Sequence, residues 1–528
     1  MKKTLQPNHE KQLSRTLALS ALLLPSLVQA VPTPDQGIEK IPGAKPRNVI
    51  FILSDDHRFD FMGFLGTVPW LKTPTMDFLA KNGAYIQNAF VTTSLSSPSR
   101  ASILTGLFSH EHTVVDNESP IPQGLYYFPQ YLQQAGYTTA FFGKWHMGNT
   151  DDQPQPGFDH WESFKGQGEY YGITLNIDGQ RTKYDKNVYT TDLLTDHTID
   201  FLKKAEKGDK PWFVYLSHKA IHSPYQPSPT YKNAYVNEPI PYPESFGISK
   251  GKIPQLPTIG EKEPGKALEG RDWYGDARVP DWVKNQRESW HGADYLFHNA
   301  NAFEAQYRQY CEVLTALDES MGRLMDFLRQ EGLDRNTLII YMGDNGYIWG
   351  EHGLVDKRNF YEESVRVPLL AYCPEIIAPG TVVKNMVQNI DIAPTIMEAA
   401  GIKKASQMRG ESFLPVLEGK PVDNWRQRIY YEYFWEYDFP QNPTMFGVRT
   451  DRYKYIRYHG IWDTNEFYDL ENDPHEMNNL IDDPALQPVI KGLANDLFGW
   501  LESSGGMQIP LKSIVKYRFG DHRNKNTY

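Results

Sequence analysis

Cysteine is nearly absent from this chain. Two residues in 528, Cys311 and Cys373, exclude a disulfide framework. Cys311 falls in a helical pattern and Cys373 follows a buried-strand pattern, so both read as free buried thiols. A basic surplus is missing as well. The 54 Lys and Arg face 65 Asp and Glu, a formal net charge of -11. General nucleic-acid binders carry a basic face, so nucleic acid is not an expected partner. Beyond the N-terminus no run is long and apolar enough to span a bilayer, so no membrane partner is expected either. Clusters of Cys or closely spaced His that would suit zinc are lacking. Internal repeats and low-complexity segments are lacking too.

What is present begins with an address. Lys2, Lys3, Lys11 and Arg15 precede the apolar run TLALSALLLPSLV, and Val28-Gln29-Ala30 offers a small-residue cleavage site. Residues 1–30 read as a secretory signal peptide, too short and too proline-broken for an anchor. A soluble exported protein, periplasmic or secreted, is therefore expected. A chain of 528 residues exceeds the size of one hydrophobic core, so two packed units are expected.

The first unit, residues 31–424, reads as α/β. Residues 48–53 form a continuous apolar run that stops at Ser54-Asp55-Asp56. Such runs mark strands buried on both faces of a sheet. Tyr137 to Phe142 repeats the pattern before Gly143-Lys144-Trp145-His146, Trp212 to Leu216 before Ser217-His218, and Thr337 to Met342 before Gly343-Asp344-Asn345. Leu314, Leu317, Met321, Leu324 and Leu328 have helical spacing just before the last of these strands. Ligands of such sheets bind outside the carboxyl ends of the strands. Residues 234–300 break the rhythm with Pro, Gly, Trp and Tyr, and read as an insertion near a site or a mobile flap. Residues 425–528 read as a smaller α+β unit. IYYEYFW, MFGVRT, YKYIRY and EFYDL suggest short strands, and Leu486, Leu493 and Leu497 a helix.

The chemistry gathers at the strand ends. Asp55-Asp56 and Asp344-Asn345 offer four hard oxygen ligands from two strand tips, a set suited to Ca2+, with Mg2+ as the alternative. One Asp at a strand end is usually a helix cap. Two such pairs weaken that explanation. Lys144, His146, His222 and Lys357 would surround the metal with cations and proton donors, as an oxyanion ester requires.

Ser96-Ser97-Pro98-Ser99-Arg100, followed by ASILTG, resembles the signature of the type I sulfatases. The resemblance extends from NVIFILSDD through the Lys144, His146 and His222 stretches to GDNG and DKR. It implies an alkaline-phosphatase-like large domain with a mixed central β-sheet flanked by helices, plus a smaller C-terminal α+β domain with a short antiparallel sheet. It also implies that Ser96 is oxidised to Cα-formylglycine. Asp55, Asp56, Asp344 and Asn345, with residue 96 itself, would hold the metal. Arg100 and Lys144 would hold the formylglycine and sulfate oxygens. His146 would act as base on the formylglycine diol, and His222 and Lys357 would assist the leaving group. One diol hydroxyl attacks sulfur; the other loses its proton and the diol collapses, expelling sulfate. Serine at position 96, where many members have cysteine, implies a radical formylglycine-generating maturase as partner.

Sulfated carbohydrate is the expected substrate class, either an algal polysaccharide such as carrageenan or ulvan, or a glycosaminoglycan. Aromatic residues make up 13% of the chain, and flat faces with polar tips suit sugar rings. His57, Arg58, His352 and Arg358 flank the metal and Lys357 stretches and are expected to contact substrate or to pair locally. Two alternatives stand beside this reading: a phosphatase or phosphonate monoester hydrolase of the same superfamily, and a catalytically silent glycan-binding homologue. Monomer and homo-oligomer both stay open.

Overall fold

Apolar runs without polar alternation have no solvent face, so each strand must be covered on both sides. The computed structural model describes residues 31–148, 150–246, 275–287, 289, 291–293, 303–460 and 463–512. The expected signal peptide and much of the 234–300 segment lie outside the described residues.

Ten strands form the central sheet. In chain order they are β1 (Asn48–Ser54), β2 (Ala84–Ile86), β3 (Thr138–Lys144), β4 (His160–Phe164), β5 (Thr174–Ile177), β6 (Gln180–Lys183), β7 (Trp212–Ser217), β8 (Thr337–Gly343), β9 (Leu369–Tyr372) and β10 (Thr381–Val383). Their spatial order is β10-β2-β9-β8-β1-β7-β3-β4-β5-β6. From β8 to β4 neighbouring strands run parallel. The β9 strand runs antiparallel to β8, and β5 to β4, so the sheet is mixed.

Alternate residues of β1 enter different layers. Val49, Phe51 and Leu53 pack with Ala101, Ile103 and Leu104 of helix α1 (Ser96–Thr105). Ile50 and Ile52 pack with Leu194 of α2 (Thr190–Ala205) and Leu317 of α3 (Phe303–Gln330). All five β1 side chains are at most 1% exposed. Burying each contributes about 1.5–3 kcal/mol.

Residues 428–469 form a four-stranded antiparallel sheet: β11 (Arg428–Tyr433), β12 (Thr444–Thr450), β13 (Tyr453–His459) and β14 (Glu466–Asp469). Helix α4 (Gln487–Ser504) lays Ile490, Leu493, Leu497 and Leu501 against Phe446, Val448 and Phe467. That i, i+3, i+7, i+11 stripe is one face of a helix. Among the described residues no helix is long and apolar enough to cross a membrane.

A carboxylate–histidine clamp ties β4 to α2. Glu162 accepts hydrogen bonds from His160 Nε2 at 3.0 Å and from His197 Nδ1 at 2.6 Å, and Asp178 holds His160 Nδ1 at 2.8 Å. Burial opposes charge on His160, but Glu162 and Asp178 raise it above its ordinary 6.5; the Glu162 hydrogen bond raises His197. Burial would raise Glu162, yet the two imidazoles hold it below its ordinary 4.5. Raised imidazoles stabilise the fold fully below about pH 6.5, and that contribution fades as pH rises through their folded values. The lowered carboxyl contributes above about pH 4.5 and fades on acidification. Glu162→Gln is therefore expected to lower Tm by about 2 °C near pH 5.5 and by less than half of that near pH 8.5, read by scanning calorimetry. Equal losses at both pH values would remove the clamp from the stability balance.

Candidate active site

Register decides where the acids meet. The β1 and β8 strands pair with Ser54 opposite Gly343. The residues that follow each strand, Asp55-Asp56 and Asp344-Asn345, therefore leave the sheet at one edge. The Asp56 N–H donates to Asp344 Oδ1 at 3.0 Å, and Asn345 Nδ2 donates to Asp56 Oδ1 at 2.7 Å. On the other side of β1, Ser217 lies opposite Leu53 and Gly143 lies opposite Ser217. Gly143 has φ +109°, and a Cβ there would stand 1.8 Å from the Ser217 carbonyl oxygen. Only glycine permits that approach. It ends β3 with Lys144 buried against Asp55 Oδ2 and Gln167 Oε1.

Ser96 is the first residue of α1, whose ten residues are all buried. Its Oγ donates to Asp55 Oδ1 at 3.3 Å and lies 3.4 Å from Lys357 Nζ, which also pairs with Asp56. The positive end of the helix dipole and its first N–H groups face the same spot, a setting that favours anions. One turn on, Arg100 donates Nε and Nη2 to Asp344 Oδ2 at 3.1 and 2.9 Å. Its Nη1 donates to the Lys144 carbonyl at 2.9 Å and to Ser217 Oγ at 2.6 Å, and Nη2 reaches Asp55 Oδ2 at 3.3 Å. One guanidinium thus fastens α1 to the ends of β1, β3, β7 and β8.

Two histidines complete the ring. His146, with φ +55°, lies 3.4 Å from Ser97 Oγ through Nδ1. His222 donates Nδ1–H to the Ser223 carbonyl at 2.6 Å, which leaves Nε2 facing Asp56 Oδ2 at 3.8 Å. Burial, then Lys144, holds both imidazoles well below their ordinary range, so both are neutral bases. The His222 side chain is 18% exposed while Asp55 and Lys144 are fully buried, so His222 is the part of this cluster nearest solvent.

The sulfatase family model matches residues 47–402, and the C-terminal model of N-sulphoglucosamine sulphohydrolase matches residues 350–502. The chain belongs to the sulfatase family. It is 34% identical over 472 residues to the N-acetylglucosamine-6-O-sulfatase of Bacteroides thetaiotaomicron, covering 83% of each chain. A solved protein in complex with its substrate D-glucosamine-2-N,6-O-disulfate superposes with a TM-score of 0.74 and 31% identity, over 89% of this chain and all of that one. The phosphonate monoester hydrolase of Agrobacterium radiobacter shares the fold, with a TM-score of 0.67 and 22% identity over 87% of this chain and 96% of that one. This sulfatase is a sulfuric ester hydrolase with the alkaline-phosphatase-like fold.

The donor set fits a hard cation. One ligand atom each from Asp55, Asp56 and His222 lies within 4.8 Å of the others. Asp344 adjoins Asp56 through the N–H bond given above. The buried Asn345 Oδ1 has no hydrogen-bond partner among the described residues. An orphaned buried acceptor beside three carboxylates is what an oxygen-ligated cation would satisfy. The crowding also shifts the acids. Burial pushes Asp56 up to about 7, with Asp55 and Asp344 adding to it and Lys357 opposing. Burial would raise Asp55 too, but Lys144 above all, with Arg100 and Lys357, holds it well below the usual carboxylate range.

Four residues expected near substrate have protein partners instead. His57 is fully buried, with Nδ1 2.6 Å from the Tyr341 hydroxyl and Nε2 3.0 Å from the Phe61 carbonyl. Arg58 pairs with Asp60 and with Glu351 and lies over the Phe61 ring. His352 stacks on Tyr361 with centroids 3.9 Å apart. Arg358 pairs with Asp356 and Glu436 and lies 3.4 Å from the Phe439 centroid. All four thus make the local pairings that were one of the two expectations for them. Gln167, Ser217 and Lys219 went unassigned in the sequence. Burial and Lys144 push the Lys219 ammonium down to about 8. Ser217 was visible as a polar strand end, whereas Gln167 and Lys219 carry no spacing signal.

Proposed function

We propose that this sulfatase is exported and that it hydrolyses sulfate esters of a sulfated carbohydrate through a formylglycine derived from Ser96 and one Ca2+. Residues 31–424 would form the catalytic domain and 425–528 the smaller one. The observation that carries the reading is the setting of Ser96: a buried Oγ at a helix N-terminus, 3.3 Å from a carboxylate and 3.4 Å from an ammonium. The hexosamine 6-sulfate and disulfate named for its relatives favour a glycosaminoglycan over an algal galactan. Oxidation of Ser96 calls for a radical maturase acting before export.

Asp55, Asp56, Asp344 and Asn345 would hold the cation, which would supply Lewis-acid polarisation of a sulfate oxygen. Formylglycine, when hydrated, would supply two hydroxyls on one carbon. The protein's own groups do the rest. Lys144 and Lys357 offset negative charge on the transferring group. Arg100 fixes the carboxylates and the helix end. Neutral His146, beside Ser97, is free to accept a proton from residue 96. Neutral His222, the more exposed of the two, turns Nε2 toward Asp56. The negative charge of an arriving sulfate opposes the effect of Lys144 and favours its protonated form, the form that donates to a leaving alkoxide.

His222→Ala is expected to cut kcat/KM on a sugar sulfate by about 10²–10³-fold and on an activated aryl sulfate by less than about tenfold. Equal losses would make it a positioning residue only. The overall reading is tested with protein co-expressed with a radical maturase, by mass spectrometry of sulfated hexosamine and galactan oligosaccharides. Release of 6-O-sulfate from hexosamine is expected. Turnover of aryl phosphonate or phosphate without sulfate would establish the phosphonate hydrolase alternative, favoured by the shared fold at 22% identity. Binding without turnover would establish the silent alternative.

A further inference from the structure

At the far end of α1 the chain builds a second groove, of about 680 Å³. Nine residues of helix follow Ser96 toward it, about 14 Å at 1.5 Å per residue. Phe108, the loop carrying Arg409, the linker 424–430 and the C-terminal turn of α4 enclose it. Arg409, Arg426 and Arg428 line it, and no acidic side chain does among the described residues.

Each of these arginines has one carboxylate partner. Arg409 Nε donates to Glu111 Oε1 at 2.6 Å, while its side chain is 47% exposed. Arg428 pairs through Nη1 with Asp496 and is 39% exposed. Arg426 is held by the buried Asp391, and its guanidinium lies 5.4 Å from the Trp425 centroid. For Arg409 and Arg428, each carboxylate engages one nitrogen and fixes the fork; the remaining N–H groups have no partner among the described residues. Beside them Trp500 and Tyr430 stack with centroids 4.6 Å apart and planes within 2°, and Phe108 buttresses Trp500 edge-on at 5.0 Å. Both stacked rings are part-exposed.

Oriented guanidiniums beside a flat aromatic platform match an anionic sugar: the forks take sulfate or carboxylate oxygens and the rings take the apolar face of the pyranose. We propose that this groove is a non-catalytic binding site for an anionic saccharide unit of the polymer on which the catalytic site acts. The proposal rests on the carbohydrate reading above. The groove anchors the chain and raises the local concentration of its sulfated ends at Ser96.

The test uses Arg409→Gln/Arg428→Gln and, separately, Trp500→Ala, each checked for an unchanged melting curve. Binding is read by calorimetry with heparin on the Ser96→Ala background, so it does not depend on turnover. Both variants are expected to weaken heparin binding about tenfold. In the otherwise native, matured protein, KM for the polymer is expected to rise by a similar factor, with kcat/KM on a sulfated monosaccharide within about twofold of wild type. If Trp500→Ala alters the melt, the arginine pair decides. Unchanged heparin binding overturns the proposal. An equal loss of binding to a single-stranded oligonucleotide also overturns it, since the groove would then be a general polyanion site. If no sugar sulfate is hydrolysed yet the heparin contrast holds, the substrate reading falls and the groove stands.

Discussion

Ser96→Ala is expected to lower sulfate release by about 10⁴-fold or more, to the background of the reagents, with an unchanged circular-dichroism spectrum. The reason is local. On the proposed mechanism alanine lacks the hydroxymethyl group that a maturase would oxidise to an aldehyde, so no geminal diol would form at the helix end. The fold has little to lose. The Ser96 hydroxyl makes two long contacts, 3.3 Å to Asp55 and 3.4 Å to Lys357. Losing such bonds costs about 1 kcal/mol. Asp55 keeps Lys144 and Arg100 as charge partners, and Lys357 keeps Asp56. Sulfate is measured by ion chromatography on matured protein. Turnover retained in the variant would place the nucleophile at another residue.

Asp344→Ala is expected to fail in two ways at once. Removing its carboxylate takes an oxygen donor from the cation site and leaves the fully buried Arg100 without its two shortest carboxylate bonds. Arg100 keeps Asp55 as a carboxylate partner, so the cost falls below the about 3–5 kcal/mol of a fully unpaired buried charge, and Tm should still fall measurably. Activity should fall by about 10³-fold, since both the metal and the guanidinium that fixes the strand ends are disturbed. Asn345→Ala separates the two effects. Its Oδ1 has no partner among the described residues, and its amide donates to Asp56 and Gly346. That variant should lose metal with a smaller drop in Tm. Metal content after dialysis, by elemental analysis, decides: unchanged calcium in both variants would take Asp344 and Asn345 out of the binding set.

Part of this was legible in the residues alone. The buried strands announced themselves because a strand covered on both faces needs no polar alternation. The 48–53 run became Asn48–Ser54 and the 337–342 run became Thr337–Gly343. The third differed more. The Tyr137–Phe142 run extends through Lys144, because Gly143 adopts a left-handed φ against the Ser217 carbonyl and keeps pairing beyond the apolar stretch. Hydropathy cannot register such a backbone approach. The amphipathic stripe of α3 and the four C-terminal strands followed their periods. Gln167 and Lys219 followed none, since they reach the site from loops whose paths the local sequence does not encode.

The sequence by itself determined the elements, their order and the chemical cast: strand ends tipped with acids, and a serine set two and four residues before Pro98 and Arg100. Those features are local, governed by side-chain period and by what each residue type can bind. The tertiary structure alone decided which of those groups face one another. The parallel register that sets Ser54 against Gly343 brings four oxygen-bearing side chains together across nearly three hundred residues. The same packing gave His57, Arg58, His352 and Arg358 protein partners, and brought three arginines with separate acidic partners to one groove with no acid in its lining among the described residues. The physical reason is that charge pairing and burial depend on distance in space, which the order of residues along a chain does not contain.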